Sequence, residues 1–311
     1  MLFQDDAKYC RIKPPGENEF QGGEPLFILQ RHWITAGCDK KNPVQLQKIL
    51  TKTDKRLSVG QESYKPDPQR MSERDRENSD TIDKLFKSCP IPEDEIIGNL
   101  GLFINRQNMS RILTMNEMYQ QIIHVHGVVI EFGVRWGQNL ALFESFRGMY
   151  EPFNHNRKII GFDTFEGFPS IHKKDGESDL LYEGSHSVTE SYDIYLERIL
   201  DYHEQESPIG HIKKFELIKG DATVEFQKYL SQHPETIIAF AFFDFDLYEP
   251  TKKCLELMKG HITKGTVIGF DELNLPEFPG ETHALREVWG IDRFRIRRSP
   301  NSGCVSYLII E

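Results

Sequence analysis

The sequence predicts an α/β fold built on a mostly parallel sheet with an antiparallel closing pair. Three observations carry that prediction. From residue 96 onward, short apolar runs alternate with segments of helical period. One run, Ile237–Phe243, is apolar throughout, as a strand covered on both faces must be. Two others, Gly127–Phe132 and Lys158–Phe162, lead into turns that carry glycines and acids. Strands that alternate with helices pair in parallel, and such sheets bind ligands at the carboxyl ends of their strands.

Residues 1–95 differ from the remainder. They are polar and contain Pro14-Pro15, Gly22-Gly23 and a charged run from Lys65 to Asp83. Their apolar clusters, Leu26–Leu29 and Val44–Leu50, are short. This part is read as an accessory or lid region, partly helical, with some of it ordered only against the main domain or a second subunit. A homo-oligomer is therefore admitted but not required.

Residues 96–311 form the expected main domain. Ile112, Met115, Tyr119, Ile122 and Ile123 share one helical face. After the strand Gly127–Phe132 comes a helix, Gln138–Phe146, packing Leu140, Leu142, Phe143 and Phe146. The second strand, Lys158–Phe162, precedes a helix over Ser187–Tyr202 that turns Tyr195, Leu196 and Leu200 inward. Strands follow at Phe215–Lys219 and Ile237–Phe243, then a helix at Thr251–Lys259 and a strand at Gly265–Phe270. Arg286 sits in a further helical piece. Arg293–Arg297 and Cys304–Ile310 read as the closing antiparallel pair.

Composition narrows the function. A net charge of −10 argues against a general nucleic-acid surface, because phosphate binding wants a basic face. The five cysteines are scattered without metal-ligand spacing and read as reduced thiols. No apolar run approaches the ~20 residues of a membrane span, and the start lacks a signal-peptide layout. The expectation is a cytoplasmic protein without a membrane partner.

The first turn reads Glu131-x-Gly133-x-x-x-Gly137, and the second strand ends at Asp163. Glycines let the backbone approach a ligand, and an acid at the end of the next strand can accept both ribose hydroxyls. The turn lacks the third glycine of a dinucleotide site. It therefore favours S-adenosylmethionine, whose ammonium group Glu131 can accept from. Thr164 and Phe165 follow Asp163 in this cofactor set, and Gly220 and Asp221 follow the third strand, where Asp221 could meet the adenine amino group. An ordinary strand-to-helix turn and a helix cap explain the same residues without a ligand.

Asp244 and Asp246 follow the most apolar strand, and Asp271 and Glu272 follow the next. Alternation along a strand would put Asp244 and Asp246 on one side. Carboxylates there are costly unless paired or metal-bound, and an all-oxygen set suits Mg²⁺. Asp246, Asp271 and Glu272 are the expected metal ligands, with Asp244 assigned to the cofactor. Helix caps and Arg or Lys partners are the competing explanation. Asp246 could serve as general base, and His283 could touch the substrate or orient Asp271. Trp136 and Tyr248 are candidate walls.

These residues resemble the macrocin O-methyltransferase (TylF-type) family, S-adenosylmethionine-dependent sugar O-methyltransferases of natural-product biosynthesis. Five blocks match in order: Val129–Gln138, Gly161–Pro169, Leu217–Asp221, Asp244–Thr251 and Gly265–Asp271. The resemblance implies a class I methyltransferase (Rossmann-like) fold and a sugar-containing small molecule as acceptor. It also implies a divalent metal held by Asp246 and by a pair of Asp after the next strand. Here that pair reads Phe270-Asp271, with Glu272 beyond, a departure from the family pattern. Three rival readings are a metal-dependent nucleotide-sugar glycosyltransferase using Asp244-x-Asp246, a nicotinamide dehydrogenase, which the missing third glycine disfavours, and a non-catalytic binding protein of the same fold.

Overall fold

The computed structural model describes residues 72–311, which lie in one compact unit spanning Gln61–Glu311. Expectations placed on residues 1–71 lie outside the described residues.

The described chain opens with two helices, α1 (Glu73–Lys87) and α2 (Glu93–Ile96), neither of which buries a residue. Ser72 starts α1 with a capping box, donating to and accepting from Asp75. A longer helix, α3 (Arg106–Gln121), begins at the Asn105 cap and buries Thr114, Met115, Met118 and Tyr119. The main alternation follows: β1 (Val128–Phe132), α4 (Gln138–Tyr150), β2 (Ile159–Asp163), α5 (Tyr192–Glu206), β3 (Phe215–Lys219), α6 (Ala222–Gln232), β4 (Ile238–Phe243), α7 (Tyr248–Leu257), β5 (Ile262–Phe270) and α8 (Gly280–Val288). Two short strands, β6 (Arg297–Arg298) and β7 (Ser306–Ile309), close the chain.

The seven strands run in the order β3-β2-β1-β4-β5-β7-β6. The first five are parallel, and β7 is antiparallel to both β5 and β6. Strand order therefore reverses between β1 and β4, which opens a crevice at their carboxyl ends. All six residues of β4 are buried, because the central strand is covered on both faces. Alternation sorts its aromatics: Phe243 packs with Phe132, Phe162, Phe226 and Phe270 on one face, beneath α6, α7 and α8. Phe240 and Phe242 pack on the other face with Met118, Phe143 and Leu196, from α3, α4 and α5.

The sequence expectation differs from this fold at three places. The helix expected from Ser187 starts at Tyr192, after Ser191 takes a left-handed backbone (φ 60°). Its Leu196 and Leu200 are buried as expected, whereas Tyr195 is 53% exposed. The helix α6 was not expected. Its signal is present in Ala222, Phe226, Tyr229 and Leu230, which recur at helical spacing behind the Asp221 cap. The closing pair is also shorter than expected, and its strands start at Arg297 and Ser306.

Candidate active site

The loops after β1, β2, β3, β4 and β5 enclose a cleft of about 580 Å³. Gly133, Gly137, Asp163, Thr164, Gly220, Asp221, Asp244, Asp246, Asp271 and Glu272 all contribute to its lining. The fold thus brings together ten of the expected residues from five segments of the sequence.

Gly133 and Gly137 line the cleft and are also needed for packing against protein. Both have left-handed backbones, at φ 87° and 77°. A Cβ on Gly133 would overlap the Asp244 carbonyl oxygen, and one on Gly137 would overlap the Leu196 side chain. The turn therefore locks β1 to β4 and α4 to α5. Glu131 is 1% exposed and lies behind the lining. One of its oxygens accepts from Asn139 Nδ2 at 2.6 Å, and the other has no hydrogen-bond partner. Burial pushes this carboxyl well above the usual carboxylate range.

Asp163 clamps the neighbouring loops. Its Oδ2 accepts from the Arg135 N–H at 2.8 Å and its Oδ1 from the Phe165 N–H at 2.5 Å. Burial raises its pKa, and these backbone donors oppose the rise. The Phe165 ring does not line the cleft: it is buried in the core cluster that holds Phe143 and Leu196, on a left-handed backbone (φ 58°). The Thr164 hydroxyl donates to Gly167 O at 2.9 Å. Asp221 caps α6, with Oδ1 accepting from the Thr223 N–H at 2.8 Å.

Asp244 and Asp246 lie just beyond the end of β4, so strand alternation does not govern them. Asp246 takes a left-handed backbone (φ 62°). Arg111, on α3, donates from Nη2 to Asp244 Oδ2 at 2.6 Å and from Nη1 to Asp271 Oδ1. Its Nε donates to Asn139 Oδ1 at 3.2 Å. Burial and the Asp271 charge lift Asp244 to about 7, against the pull of Arg111. Burial, Asp244 and Asp271 raise Asp246 well above its ordinary value. Glu281 on α8 is fully buried. Its Oε2 accepts from the Glu272 N–H at 3.3 Å, while Oε1 has no hydrogen-bond partner. Burial and then the Asp246 charge raise its pKa well above the usual carboxylate range.

The expected metal trio does not fit this arrangement. Phe270, at the first position of the family pair, is buried and stacked on Phe243 at 5.3 Å. Arg111 engages both Asp244 and Asp271. Among the described residues, no group of three or more His, Cys, Asp or Glu is arranged to hold an ion. His283 does not line the cleft. It lies two residues from Glu281 on α8, and positions two apart do not share a helix face. Of the candidate walls, Trp136 lines the cleft, whereas Tyr248 is buried with its hydroxyl bonded to Glu287 at 2.6 Å.

Sequence reasoning missed Arg111, Asn139 and Glu281. For Arg111 a signal exists: it stands four residues before Met115 and seven before Met118, on the buried stripe of α3. A cation on such a stripe needs a partner. His186 also lines the cleft, its ring tilted against Phe168 with centroids 4.8 Å apart. Burial, with Arg135 nearby, lowers it to about 4, so its imidazole is neutral.

No protein-family model matches the chain, and no curated protein matches it. Solved structures do match. A crystal structure of CalS11, a calicheamicin methyltransferase, is 40% identical, covering 80% of this chain and 98% of that one, with a TM-score of 0.76. The apo structure of CalS11, a TDP-rhamnose 3'-O-methyltransferase of calicheamicin biosynthesis, is 39% identical over 77% and 95%, with a TM-score of 0.68. The chain belongs to the TylF-type family of sugar O-methyltransferases. It is an S-adenosylmethionine-dependent O-methyltransferase of the class I fold, which sets aside the glycosyltransferase and non-catalytic readings.

The residues of this methyltransferase fit its methyl donor. That molecule carries two positive centres and two ribose hydroxyls. The cleft offers the carboxylate of Asp163 and a surplus of acid over base, and the orphan oxygen of Glu131 lies just behind its lining. Among the described residues, no helix is long and apolar enough to cross a membrane.

Proposed function

We propose that this methyltransferase methylates a hydroxyl of a sugar or glycosylated small molecule, with Asp246 as general base. The observation that carries this reading is the placement of Asp246. It lines the cleft from a left-handed turn at the β1–β4 switch point, outside the Arg111 bridge. S-adenosylmethionine supplies an already activated methyl group, so the protein mainly positions the reactants and removes a proton. Glu131 and Asp163 hold the donor's amino acid and ribose ends, and Gly220 and Asp221 border its base. Asp246 accepts the proton of the acceptor hydroxyl. Burial and the neighbouring Asp244 and Asp271 charges raise its proton affinity above that of a free carboxylate, which strengthens it as a proton acceptor. Residues 1–95 supply an accessory region in this reading, and the acceptor pocket extends toward Trp136, Phe168 and His186.

CalS11 acts on TDP-rhamnose, which makes that sugar nucleotide the first acceptor to test. Incubation with isotopically methyl-labelled donor should yield labelled TDP-rhamnose or a labelled related TDP-deoxysugar. Calorimetry should show saturable uptake of S-adenosylhomocysteine. Loss of that uptake in folded protein overturns the donor assignment. Uptake without labelling of any sugar hydroxyl overturns the acceptor class.

A further inference from the structure

We propose that the Arg111 guanidinium is the resident cation of this site, bridging Asp244 and Asp271 where a divalent ion would otherwise neutralise acids, and that methyl transfer here needs no divalent metal. The inference rests on the methyl-transfer reading above. Arg111 is fixed from several sides. Its two Nη groups hold the two aspartates, its Nε holds Asn139, and its plane lies 5.1 Å from the centroid of the Phe242 ring. Asn139 in turn is anchored on Glu131. The rigid guanidinium fork matches paired carboxylates, whereas Mg²⁺ demands near-octahedral oxygens. One carboxylate the family would supply is replaced by Phe270, which is committed to the core.

The cation is delivered by packing. Met115, Met118 and Tyr119 seat α3 in the core, and Arg111 projects from the same stripe one turn earlier. Burial opposes its charge, but Asp271 and Asp244 more than offset this and raise its proton affinity. Arg111 is thus a positioning residue. It holds Asp244 and Asp271 together and leaves Asp246 outside the bridge.

The test uses the full chain, dialysed against EDTA and saturated with S-adenosylhomocysteine. Mn²⁺ is titrated and followed by electron paramagnetic resonance. Wild type should show no saturable uptake below about 1 mM, a weak-site threshold. Arg111→Ala leaves two aspartates without their cation, so uptake should tighten by at least about tenfold, and Arg111→Lys should restore the wild-type response. EDTA should leave wild-type labelling of TDP-rhamnose unchanged. Saturable Mn²⁺ uptake by wild type, or turnover lost to EDTA and regained with Mg²⁺, overturns the proposal. If Arg111→Ala does not fold, the wild-type and Arg111→Lys titrations decide alone. S-adenosylhomocysteine uptake in the same samples separates failure here from failure of the methyl-transfer reading.

Discussion

The two ends of the sheet both bury charge, and they treat it differently. At the amino end, Arg157 donates to the carbonyls of Ile122, Val125 and Gly127 and pairs with Glu151 at 2.9 Å. Nearby, Arg147 pairs with Glu204 at 2.9 Å and donates to Lys214 O. These charges are matched in sign and tied to the backbone that feeds β1, β2 and β3. At the carboxyl end, acids outnumber the bases that face them, and oxygens of Glu131 and Glu281 have no hydrogen-bond partner. Backbone strain follows the same division. Among the described residues, all six non-glycine positions with positive φ (Arg135, Phe165, His186, Ser191, Asp246 and Asn274) lie in loops that leave carboxyl ends of strands. Each costs roughly 1–2 kcal/mol. One end holds the fold together, and the other is held by the fold in a state it would not choose alone.

The largest effect should come from the matched end. Arg157→Ala strands Glu151 and three carbonyls in the interior, and breaking such a buried pair costs about 3–5 kcal/mol. Urea denaturation should show that loss. A loss below about 1 kcal/mol would mean that the amino end is not the stabilising one.

Asp246→Asn should do the reverse at the strained end. Turnover should fall by roughly 10²- to 10⁴-fold, the usual worth of a general base. Stability should hold or rise, because one of several crowded acids is neutralised. Retained turnover would remove Asp246 from the chemistry. Loss of stability with loss of turnover would make its role structural.

Glu144 tests the amino end's exception. It is 1% exposed, and neither carboxyl oxygen has a hydrogen-bond partner. Burial, partly opposed by Arg147, lifts it to about 8. The folded pKa lies above the unfolded one, so this group's contribution is fully present below about pH 4.5. It is lost as pH rises through about 8. Glu144→Gln removes that decline. The variant should match wild type at low pH and exceed it near pH 8–9, by an amount on the order of a few kcal/mol. Parallel stability–pH curves for the two proteins would contradict this.

The contrast between the ends also explains what could be read in the sequence. The sheet was legible because β1, β2 and β4 announce themselves by apolar runs and their acids stand at strand ends. Asp163 and Asp246 follow from chain position alone. Arg111 does not, because its partners Asp244 and Asp271 lie 133 and 160 residues away and only the crossover order joins them. Glu281 looks like any helix acid until the packing of α8 removes its water. What escaped the sequence is thus concentrated at the end where conformation departs from local preference.

The smallest effect addresses a residue on the border of the two behaviours. Asp221 stands at the carboxyl end, yet its carboxylate is occupied as a matched group would be, accepting from the Thr223 N–H and hydroxyl at 2.8 Å. Asp221→Ala should cost about 1 kcal/mol through the lost cap. Asp221→Ser can still cap and should recover most of that. If Asp221 also holds the donor, S-adenosylhomocysteine should bind both variants more weakly by a similar factor, because a hydroxyl replaces the cap but not the charge. If affinity tracks stability instead, with Ser restoring both, then Asp221 belongs with the scaffold, and the recognition of the base passes to the Gly220 turn.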